Sequence, residues 1–478
     1  MPENQNHQKK ENDPTTVYSS SKMETAKLSR AAGLDFTTEC ISSSLELFSK
    51  PYMDVSLDRC YYSEIQPTTA ISDTANMISF LIPPSQDFSD LSESYVELKV
   101  QILKPDGTKT DAQAATDSYA LINQPVSSLF SSVNVRLNDQ LLSNSYGTHP
   151  YKAYLQTILN FGSDASARLE LMGYVPDLTP TTMEAHSAAP ATSFKKRGEW
   201  MAESNIRTFI GPIHHDLFNQ NRLLIPLIPL HLDFIKVSDS FGILRNKDKT
   251  ATDNTDYKFK ITSMKLMIRR VKTTPSVKLN IERQLETKPA IYPLNQTSVK
   301  PLFIDANQKT ATFENCFGGK GIPRLCLLML CRQSAYRGSY KENPFMWEHN
   351  NLTSLKISFN GLSYPNPEFR PQYTVSEGKN WTREFYSLMN NTLKLDQGSF
   401  ITYELFKKYY CIYNLDLGHF TSTLLDHTLP RQDVSARLDI TFDPSQTNTA
   451  ALVAMLYTEH DCELRITSSR SVEKDYIL

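Results

Sequence analysis

Short stretches in which apolar and polar residues alternate recur along most of this chain. In residues 96–102 (VELKVQI), aliphatic residues alternate with charged or amide residues, and the stretch ends at the turn sequence Pro105-Asp106-Gly107. Successive side chains of a β-strand point to opposite faces, so a period of two predicts a strand with one buried face. The same alternation occurs at residues 133–137, 259–268, 355–359, 438–442 and 462–467. Many short strands separated by turns and long loops predict an all-β protein built from sandwiches.

Two segments have instead the spacing of an amphipathic helix. Apolar residues fall at i, i+3, i+4, i+7 and i+8 from Tyr151 to Leu159, and Pro150 stands near the first turn, where proline is tolerated. A second set runs from Trp381 to Met389 behind Asn380, a favoured N-cap residue. We expect both aromatic stripes to cover a sheet edge or the core.

The same order of elements occurs twice. Ser132–Asp139 (SVNVRLND) and Ser354–Gly361 (SLKISFNG) are alternating segments that end in Asn-Asp or Asn-Gly, and one helix follows each of them. Two further matches are Asp216-Leu217-Phe218 with Glu404-Leu405-Phe406, and the long closing segments 257–271 and 450–467. This order predicts one β-domain with an inserted helix that is used twice.

The length of 478 residues suits two domains of about 200 residues each. Residues 1–36 are polar and predict a flexible N-terminal arm. Residues 37–272 would form the first domain, with a docking segment at its start, and residues 291–478 the second. Residues 273–290 are polar with prolines near both ends, which indicates a linker. Its mixed charges suit an exposed joint: Glu282, Arg283, Glu286 and Lys288.

The charge and cysteine content narrow the class of protein. Lys plus Arg number 50 and Asp plus Glu 52, a formal net charge of −2, whereas a chain that grips nucleic acid along its surface is normally basic. The seven cysteines form no CxxC pair and no secretory signal is recognisable, which predicts reduced thiols. Cys326 and Cys331 lie in an apolar run and are expected in the core.

Catalytic motifs are missing from the sequence, which contains no GxGxxG, GxxxxGK[ST], HExxH or GxSxG. Gly318-Gly319-Lys320-Gly321 lacks the spacing of a phosphate loop and predicts a turn before a strand. His214-His215-Asp216 offers possible metal ligands, but neighbours on a strand point to opposite faces, so we expect a structural or exposed role. Lys195-Lys196-Arg197 predicts a solvated loop, with a short nuclear import signal as the alternative. We therefore predict no catalytic, cofactor-binding or metal site, and no enzyme.

The chain resembles the double jelly-roll major capsid proteins of Polinton/Maverick elements and the related adintoviruses of animals. The resemblance runs from about Ser44 to Tyr476, and its strength is the common order of several segments. These are SLELFSKP (44–51), LFSSVNVRLNDQLLS (129–143), HPYKAYLQTILNFG (149–162), GPIHHDLF (211–218), VKTTPSVKL (271–279), GSYKENPFMWEH (338–349) and LRITSSRSV (464–472). The fold that the resemblance implies is two tandem eight-stranded jelly-roll sandwiches with short inserted helices.

The function that the resemblance implies is that of a shell subunit. Three copies would form a pseudo-hexameric capsomer, and capsomers would assemble, together with a single jelly-roll penton protein, into an icosahedral shell around double-stranded DNA. The chain would then be found in the virion after assembly in the nucleus or cytoplasm, with no specific nucleic-acid contact and no cofactor. The long loops 108–118, 177–191 and 246–256 would project outward or clasp neighbouring capsomers.

Three other functions stay open at the level of sequence. A receptor- or carbohydrate-binding β-sandwich would need a cleft of exposed aromatic residues. A β-rich hydrolase would need paired carboxylates, and neither Asp233 with Asp239 nor Asp439 with Asp443 has a reason to pair. A capsid gene captured by a host genome would keep the fold and serve another purpose.

Overall fold

Antiparallel strands dominate the computed structural model of the protein. The structure describes residues 55–72, 75–113, 117–143, 147–178, 192–246, 256–373, 380–392, 399–418, 432, 434–445 and 449–476. The predicted arm at residues 1–36 and the predicted docking segment that follows it lie outside these residues, as do most of the loops 177–191 and 246–256.

The first sandwich consists of two four-stranded sheets. Its strands are β1 (Leu57–Ile65), β2 (Met77–Ile82), β3 (Phe88–Leu103), β4 (Ser118–Leu121), β5 (Phe130–Leu137), β6 (Gln140–Ser143), β7 (Arg207–Pro212), β8 (Leu230–Lys236), β9 (Ile243–Asn246) and β10 (Lys258–Thr273). One sheet has the order β1-β10-β3-β7 and the other β2-β8-β5-β6, while β4 and β9 form a separate two-stranded ribbon. All pairings are antiparallel.

The second sandwich repeats this plan. Its strands are β11 (Ala290–Ile304), β12 (Thr310–Phe313), β13 (Leu325–Arg332), β14 (Leu352–Phe359), β15 (Leu362–Phe369), β16 (Ile412–Asn414), β17 (Arg437–Phe442), β18 (Leu452–Ile466) and β19 (Val472–Tyr476). The sheets have the orders β11-β18-β13-β16 and β12-β17-β14-β15, and β19 pairs with β18. Leaving aside β4, β9 and β19, both sandwiches have the strand orders 1-8-3-6 and 2-7-4-5, which is the jelly-roll arrangement.

The predicted repeat is confirmed by its strands and turns. β5 and β14, which contain the matched sequences, are the fourth strand of their sandwiches, and β10 and β18 are the eighth. The turn after β5 has φ of 47° and 66° at Asn138 and Asp139, and the turn after β14 has 52° and 75° at Asn360 and Gly361. Positive φ at both central residues is the hairpin geometry that Asn-Asp and Asn-Gly favour. The Asp216–Phe218 match was wrong, because that segment follows the sixth strand whereas 404–406 precedes it.

Nine helices occur in the part of the chain that the structure describes. They are α1 (Pro125–Ser128), α2 (His149–Asn160), α3 (Ser166–Leu171), α4 (Ser193–Met201), α5 (Asp239–Gly242), α6 (Pro275–Thr287), α7 (Gln333–Arg337), α8 (Thr382–Thr392) and α9 (Tyr403–Lys408). The two predicted helices, α2 and α8, are confirmed, and each lies between the fifth and sixth strands of its sandwich. Asn380 lies one residue before the N-cap position expected for it, and its Oδ1 accepts a hydrogen bond from Thr382 N at 3.0 Å.

The sequence predicted no helix for the other seven segments, and two of these seven were predicted to be a loop and a linker. The Lys195–Arg197 cluster, expected in a solvated loop, lies in α4, where Thr192 caps the first turn. Residues 273–290, predicted as a linker, contain α6, which begins at Pro275 with proline in its first turn. The domain boundaries themselves stay a prediction.

The buried apolar residues of the two sandwiches form one continuous cluster. Alternate residues of β3 point into it, so that Leu98, Val100 and Ile102 are fully buried, as the alternating pattern predicted. Cys326 and Cys331 of β13 are buried free thiols, as expected. A core that continues from one sandwich to the other makes the region between them part of the interior.

Candidate functional site

The two sandwiches meet along a contact region that we call the seam, where α2 and residues 213–225 face β11. The hydroxyl of Thr148, just before α2, donates to Val299 O of β11 at 3.2 Å. Tyr292 of β11 donates its hydroxyl hydrogen to Leu223 O and accepts from Ile225 N, both at 3.1 Å. These bonds fix the register of β11 against the first sandwich.

A buried ion pair lies at the centre of the seam. Lys152 Nζ of α2 is 2.5 Å from Asp216 Oδ1, and the side chains are only 8% and 5% exposed. The second carboxylate oxygen of Asp216 accepts from Thr297 N of β11 at 3.2 Å. Asp216 therefore joins a helix of the first sandwich to the backbone of the second.

Three buried histidines surround this pair. His214 Nε2 lies 3.0 Å from Gln124 Nε2, and His215 Nδ1 accepts from Leu217 N at 3.1 Å. Burial lowers the pKa of His214 to about 4 and that of His215 to about 3, and it holds the pKa of His149 well below its usual value. The rings are therefore neutral at physiological pH, beside the Lys152 ammonium.

The structural role expected for His214-His215-Asp216 fits this placement, but the expected strand does not. β7 ends at Pro212, so both histidines lie in an irregular segment and are buried rather than alternating across a sheet. Among the described residues no group of three or more His, Cys, Asp or Glu side chains is placed to hold a metal ion.

A cavity of about 880 Å³ runs along the seam beside the ion pair. Its lining includes Gln156, His214, Asp216, Thr297, Arg324, Glu459 and Asp461. Arg324 donates to Asp461 Oδ2 at 2.8 Å, and the hydroxyl of Tyr457 donates to Glu459 Oε1 at 2.5 Å. Burial raises the pKa of Glu459. The cavity walls are thus mostly polar and carry charges of both signs.

Aromatic side chains fill the rest of the seam. The ring of Tyr154 on α2 stacks on Phe345 of the second sandwich, with centroids 4.1 Å apart and planes at 3°. Tyr151, one helical turn away, stacks on Tyr336 at 5.9 Å. The hydroxyls of Tyr154 and Tyr410 lie 3.3 Å apart. These rings interlock across the seam, where stacked pairs add to the effect of apolar burial.

The Gly318–Gly321 segment is the turn that the sequence predicted. Gly318, Gly319 and Gly321 have φ of 63°, 73° and 84°, a left-handed conformation that glycine adopts without strain. The turn precedes β13 and opens no helix. Lys320 is half-buried and its pKa is lowered by burial.

The basic cluster at residues 195–197 is divided between interior and surface. Arg197 is 1% exposed, and its Nε donates to Leu121 O at 3.0 Å. Lys196 forms a half-exposed ion pair with Glu170 at 2.8 Å. A solvated basic loop was the wrong prediction for this segment, because the guanidinium of Arg197 is held inside by backbone and hydroxyl acceptors.

The proposed carboxylate pairs have separate partners. Asp233 accepts from Ser79 Oγ at 2.7 Å and lies 3.4 Å from Arg136, whereas Asp239 accepts from Phe259 N at 3.2 Å. In the second sandwich, Asp439 pairs with Arg437 at 2.9 Å, whereas Asp443 caps a turn through Ser445 N. Of the charges in the predicted linker, Glu282 forms an ion pair with Arg470 at 2.8 Å.

Seven of the seventeen exposed large apolar side chains in the described part of the chain lie at or beside two opposite edges of the sheet β1-β10-β3-β7. We call the first the β1 patch: Val55, Leu57, Tyr61 and Tyr62, which are 72%, 44%, 39% and 45% exposed. The second, the β7 patch, consists of Leu171, Ile206 and Ile210, at 60%, 57% and 39%. Exposed apolar side chains at sheet edges are candidates for protein–protein contact.

No helix in the described part of the chain is long and apolar enough to cross a bilayer.

Comparison with known proteins identifies solved structures that have a similar fold. No family model matches the chain. An uncharacterized protein of Caenorhabditis elegans is 25% identical over 395 residues, covering 77% of this chain and 88% of that protein. A chain of the Sputnik virophage, solved by cryo-EM, has a TM-score of 0.60 at 12% identity and covers 92% of this chain and 93% of its own.

Two further capsid structures cover nearly the whole chain. A chain of the PBCV-1 virus capsid has a TM-score of 0.54 at 12% identity, with coverage of 90% and 100%. The mavirus major capsid protein has a TM-score of 0.50 at 12% identity, with coverage of 93% and 96%. The expected fold is thereby confirmed: the chain is an all-β protein with the double jelly-roll fold of viral capsid proteins.

Proposed function

We propose that this chain is a major capsid protein that trimerises into pseudo-hexameric capsomers and assembles into an icosahedral shell around double-stranded DNA. The observation that carries the proposal is the presence of two sandwiches with the same strand order in one chain. Three such chains supply six similar upright units, which can pack side by side on a near-hexagonal lattice. The likeness to capsid structures over at least 90% of the chain supports the same function.

The β1 and β7 patches support trimer formation. They are different surfaces on opposite edges of one sheet, so two copies cannot bury both patches by a single two-fold contact. A head-to-tail contact between unlike patches closes into a ring when the rotation between copies fits a whole number of subunits. In the proposed capsomer that number is three.

Light scattering of the purified chain tests the oligomeric state. We expect a particle of three times the 54.4 kDa of one chain at micromolar concentration. Leu57→Ser with Tyr62→Ser should dissociate it, because a stable interface depends on a few buried apolar anchors. Leu279→Ser, at a site 54% exposed on α6 and outside both patches, is the matched control and should stay trimeric. A monomer under all mild salt conditions would count against the proposal.

Negative-stain microscopy tests shell formation, because shells, threefold capsomers and monomers differ visibly in size and outline. The remaining parts of the proposal are a virion location, a single jelly-roll penton protein as partner, and membership of the Polinton and adintovirus group. With a net charge of −2, the chain would enclose DNA without specific contacts to it.

The second candidate is a cellular function of a capsid protein whose gene was captured by a host genome. The observation that favours it is the relative in Caenorhabditis elegans, an animal, which matches most of both chains. A captured protein would keep the two sandwiches and the seam, while the β1 and β7 patches would no longer need to support a lattice. Stable trimers that never form shells, in any salt or with any added capsid component, would favour this alternative.

A further inference from the structure

We propose that the seam is an acid-sensitive joint, at which protonation of His149, His214 and His215 separates the two jelly rolls locally before either sandwich unfolds. The proposal concerns the chain itself and goes beyond a role in a capsid. Its basis is geometric: the three histidine rings, 3%, 8% and 3% exposed, belong to α2 and to residues 213–225, the same two segments that supply the buried ion pair of Lys152 and Asp216.

The groups that face the rings make added charge costly. Lys152 of α2 is close enough to oppose protonation of all three, and Lys474 of β19 opposes protonation of His215. The carboxylate that favours a charged His215 is Asp216, which already binds Lys152 and Thr297 N. Farther along the cavity, Glu459 and Asp461 face Arg324, and Lys320 adds another cation. A proton on any ring would therefore add a positive charge near Lys152, a cost that Asp216 offsets in part for His215.

The seam also provides a route by which opening can begin. The cavity reaches both His214 and Asp216, so water can enter beside the ion pair without disturbing the sheets. The interactions across the seam at this point are side-chain contacts with β11, such as the 3.4 Å hydrogen bond from Gln156 Nε2 to Thr297 Oγ1. The sheets of each sandwich are instead held by continuous antiparallel ladders. The part of the seam beside the cavity should therefore open more readily than the sheets.

The direction of the effect follows from the shifted pKa values. In an open seam the rings meet water and regain a pKa near 6.5, whereas in the closed seam it is about 4 for His214 and about 3 for His215. The open state therefore binds protons first as pH falls. Closure is fully stable above pH 6.5 and weakens as pH falls towards 4. At pH 5, His214 and His215 should each favour opening by at least on the order of tenfold.

Hydrogen–deuterium exchange of the full chain from about pH 8 to about pH 5 tests the proposal, after correction for the intrinsic pH dependence of exchange. We expect the amides of Ile225 and Thr297, which donate across the seam to Tyr292 and Asp216, to lose protection as pH falls below 6.5. The ladder amides of β3, inside the first sandwich, should keep theirs. Equal protection of these two amides at both pH values, or simultaneous loss in β3, would overturn the proposal.

Variants separate the seam histidines from general acid destabilisation. His214→Gln retains a polar atom at the Nε2 position towards Gln124, and His215→Asn retains an acceptor for Leu217 N. The double variant should keep its protection at about pH 8 and lose most of the pH response, at least on the order of a hundredfold at pH 5. His214→Gln alone is the milder change, and its pH response at pH 5 should be smaller than that of the parent by about tenfold. An undiminished pH response in either variant would contradict the inference.

Two histidines outside the seam serve as controls. His231 is half-buried on β8, and His349 has a pKa lowered to about 4, first by burial and then by Lys407. His349→Asn keeps an acceptor for Asn351 N, which His349 Nδ1 binds at 2.9 Å. Both His231→Gln and His349→Asn should leave the pH response of the Ile225 and Thr297 amides unchanged. A response that shifts as much in these variants as in the seam variant would show general acid unfolding instead.

Discussion

Lys152 illustrates how a single residue links the two sandwiches. It lies on α2, whose apolar face follows the spacing predicted from Tyr151 to Leu159, and a lysine beside that face would ordinarily reach solvent. The second sandwich covers this side of the helix, so the ammonium is buried and meets Asp216. An isolated buried charge is strongly unfavourable, and pairing with Asp216 removes most of that cost.

The first prediction concerns this pair. Lys152→Met should lower the free energy of unfolding by about 3–5 kcal/mol, because it leaves the Asp216 carboxylate buried without its cation. Urea denaturation of the full chain measures the change. The matched control is Lys196→Met, which removes a half-exposed ion pair with Glu170 and should cost about 1 kcal/mol or less. Adding Asp216→Asn to Lys152→Met should recover part of the loss. Equal effects of the two lysine variants would show that burial of the pair is unimportant.

For single residues, the sequence predicted the burial of apolar side chains better than the burial of charged or polar ones. The burial of Cys326 and Cys331 was predicted because their apolar neighbours on β13 continue the run. The burial of Arg197 and His215 was not, since a charged or polar side chain inside a protein depends on acceptors from distant segments. Leu121 O, which binds Arg197, is 76 residues away along the chain. No local pattern reports such a contact.

At the scale of elements, α2 and α8 occupy the same place in their sandwiches and differ in what covers them. Most residues of α2 are buried because it lies in the seam. α8 lies on the second sandwich, packs its aromatic face inward and leaves Tyr386 65% exposed. The repeat in sequence therefore specifies the position of each helix, and the neighbouring sandwich determines its burial.

The second prediction uses these two helices as a matched pair. Tyr154→Ala should cost about 3–5 kcal/mol, because it removes the ring stacked on Phe345 and leaves a cavity in the seam. Tyr386→Ala, the same change at an exposed position of α8, should stay within about 0.5 kcal/mol of the parent. Thermal and urea unfolding measure both. Since the buried core is continuous, we also expect Tyr154→Ala to shift the unfolding of both sandwiches together, and two separate transitions in the parent would contradict this.

The helices that sequence missed had weaker signals. In α6 only Leu285 is buried, so its apolar residues follow no stripe long enough to predict a helix. Pro275 nevertheless occupies the first turn, where proline commonly begins a helix. Together with Pro289 it also suits a linker, so the sequence alone does not distinguish the two. Strands were easier to predict, because a period of two survives wherever one face of a sheet is buried.

At the scale of the whole molecule, one strand order used twice gives two sandwiches that share a core. The long closing strands β10 and β18 lie second in their sheets, beside the edge strands β1 and β11. The chain passes from the first sandwich to the second through α6, directly after β10. The seam itself joins segments that are distant in sequence, since Thr148 and Val299, which bond across it, are 151 residues apart. The proposed function depends on the exposed surfaces of the two sandwiches, such as the β1 and β7 patches.

The third prediction concerns residues 1–36, which precede the described part of the chain. They contain five basic residues (Lys9, Lys10, Lys22, Lys27 and Arg30) and five acidic residues (Glu3, Glu11, Asp13, Glu24 and Asp35). A segment with no net charge from these groups should bind DNA weakly and with a shallow salt dependence. Its apolar residues lie between Met23 and Phe36, next to the folded body in sequence. Ordering that segment against a neighbouring capsomer would cost about 1–2 kcal/mol per residue, offset by apolar burial.

Deletion of residues 1–36 should therefore leave the trimer and its melting temperature unchanged and make shell assembly less efficient. Light scattering and thermal unfolding measure the first two, and negative-stain counts of shells at equal protein concentration measure the third. Replacing Leu28, Leu34 and Phe36 by serine in the full-length chain is the matched variant, because it removes the apolar residues and keeps the length and charge. If this variant assembles poorly as well, apolar docking is the cause. A deletion variant that forms shells as readily as the full chain would show that the segment has no role in assembly, and one that fails to fold would place the start of the first domain before residue 37.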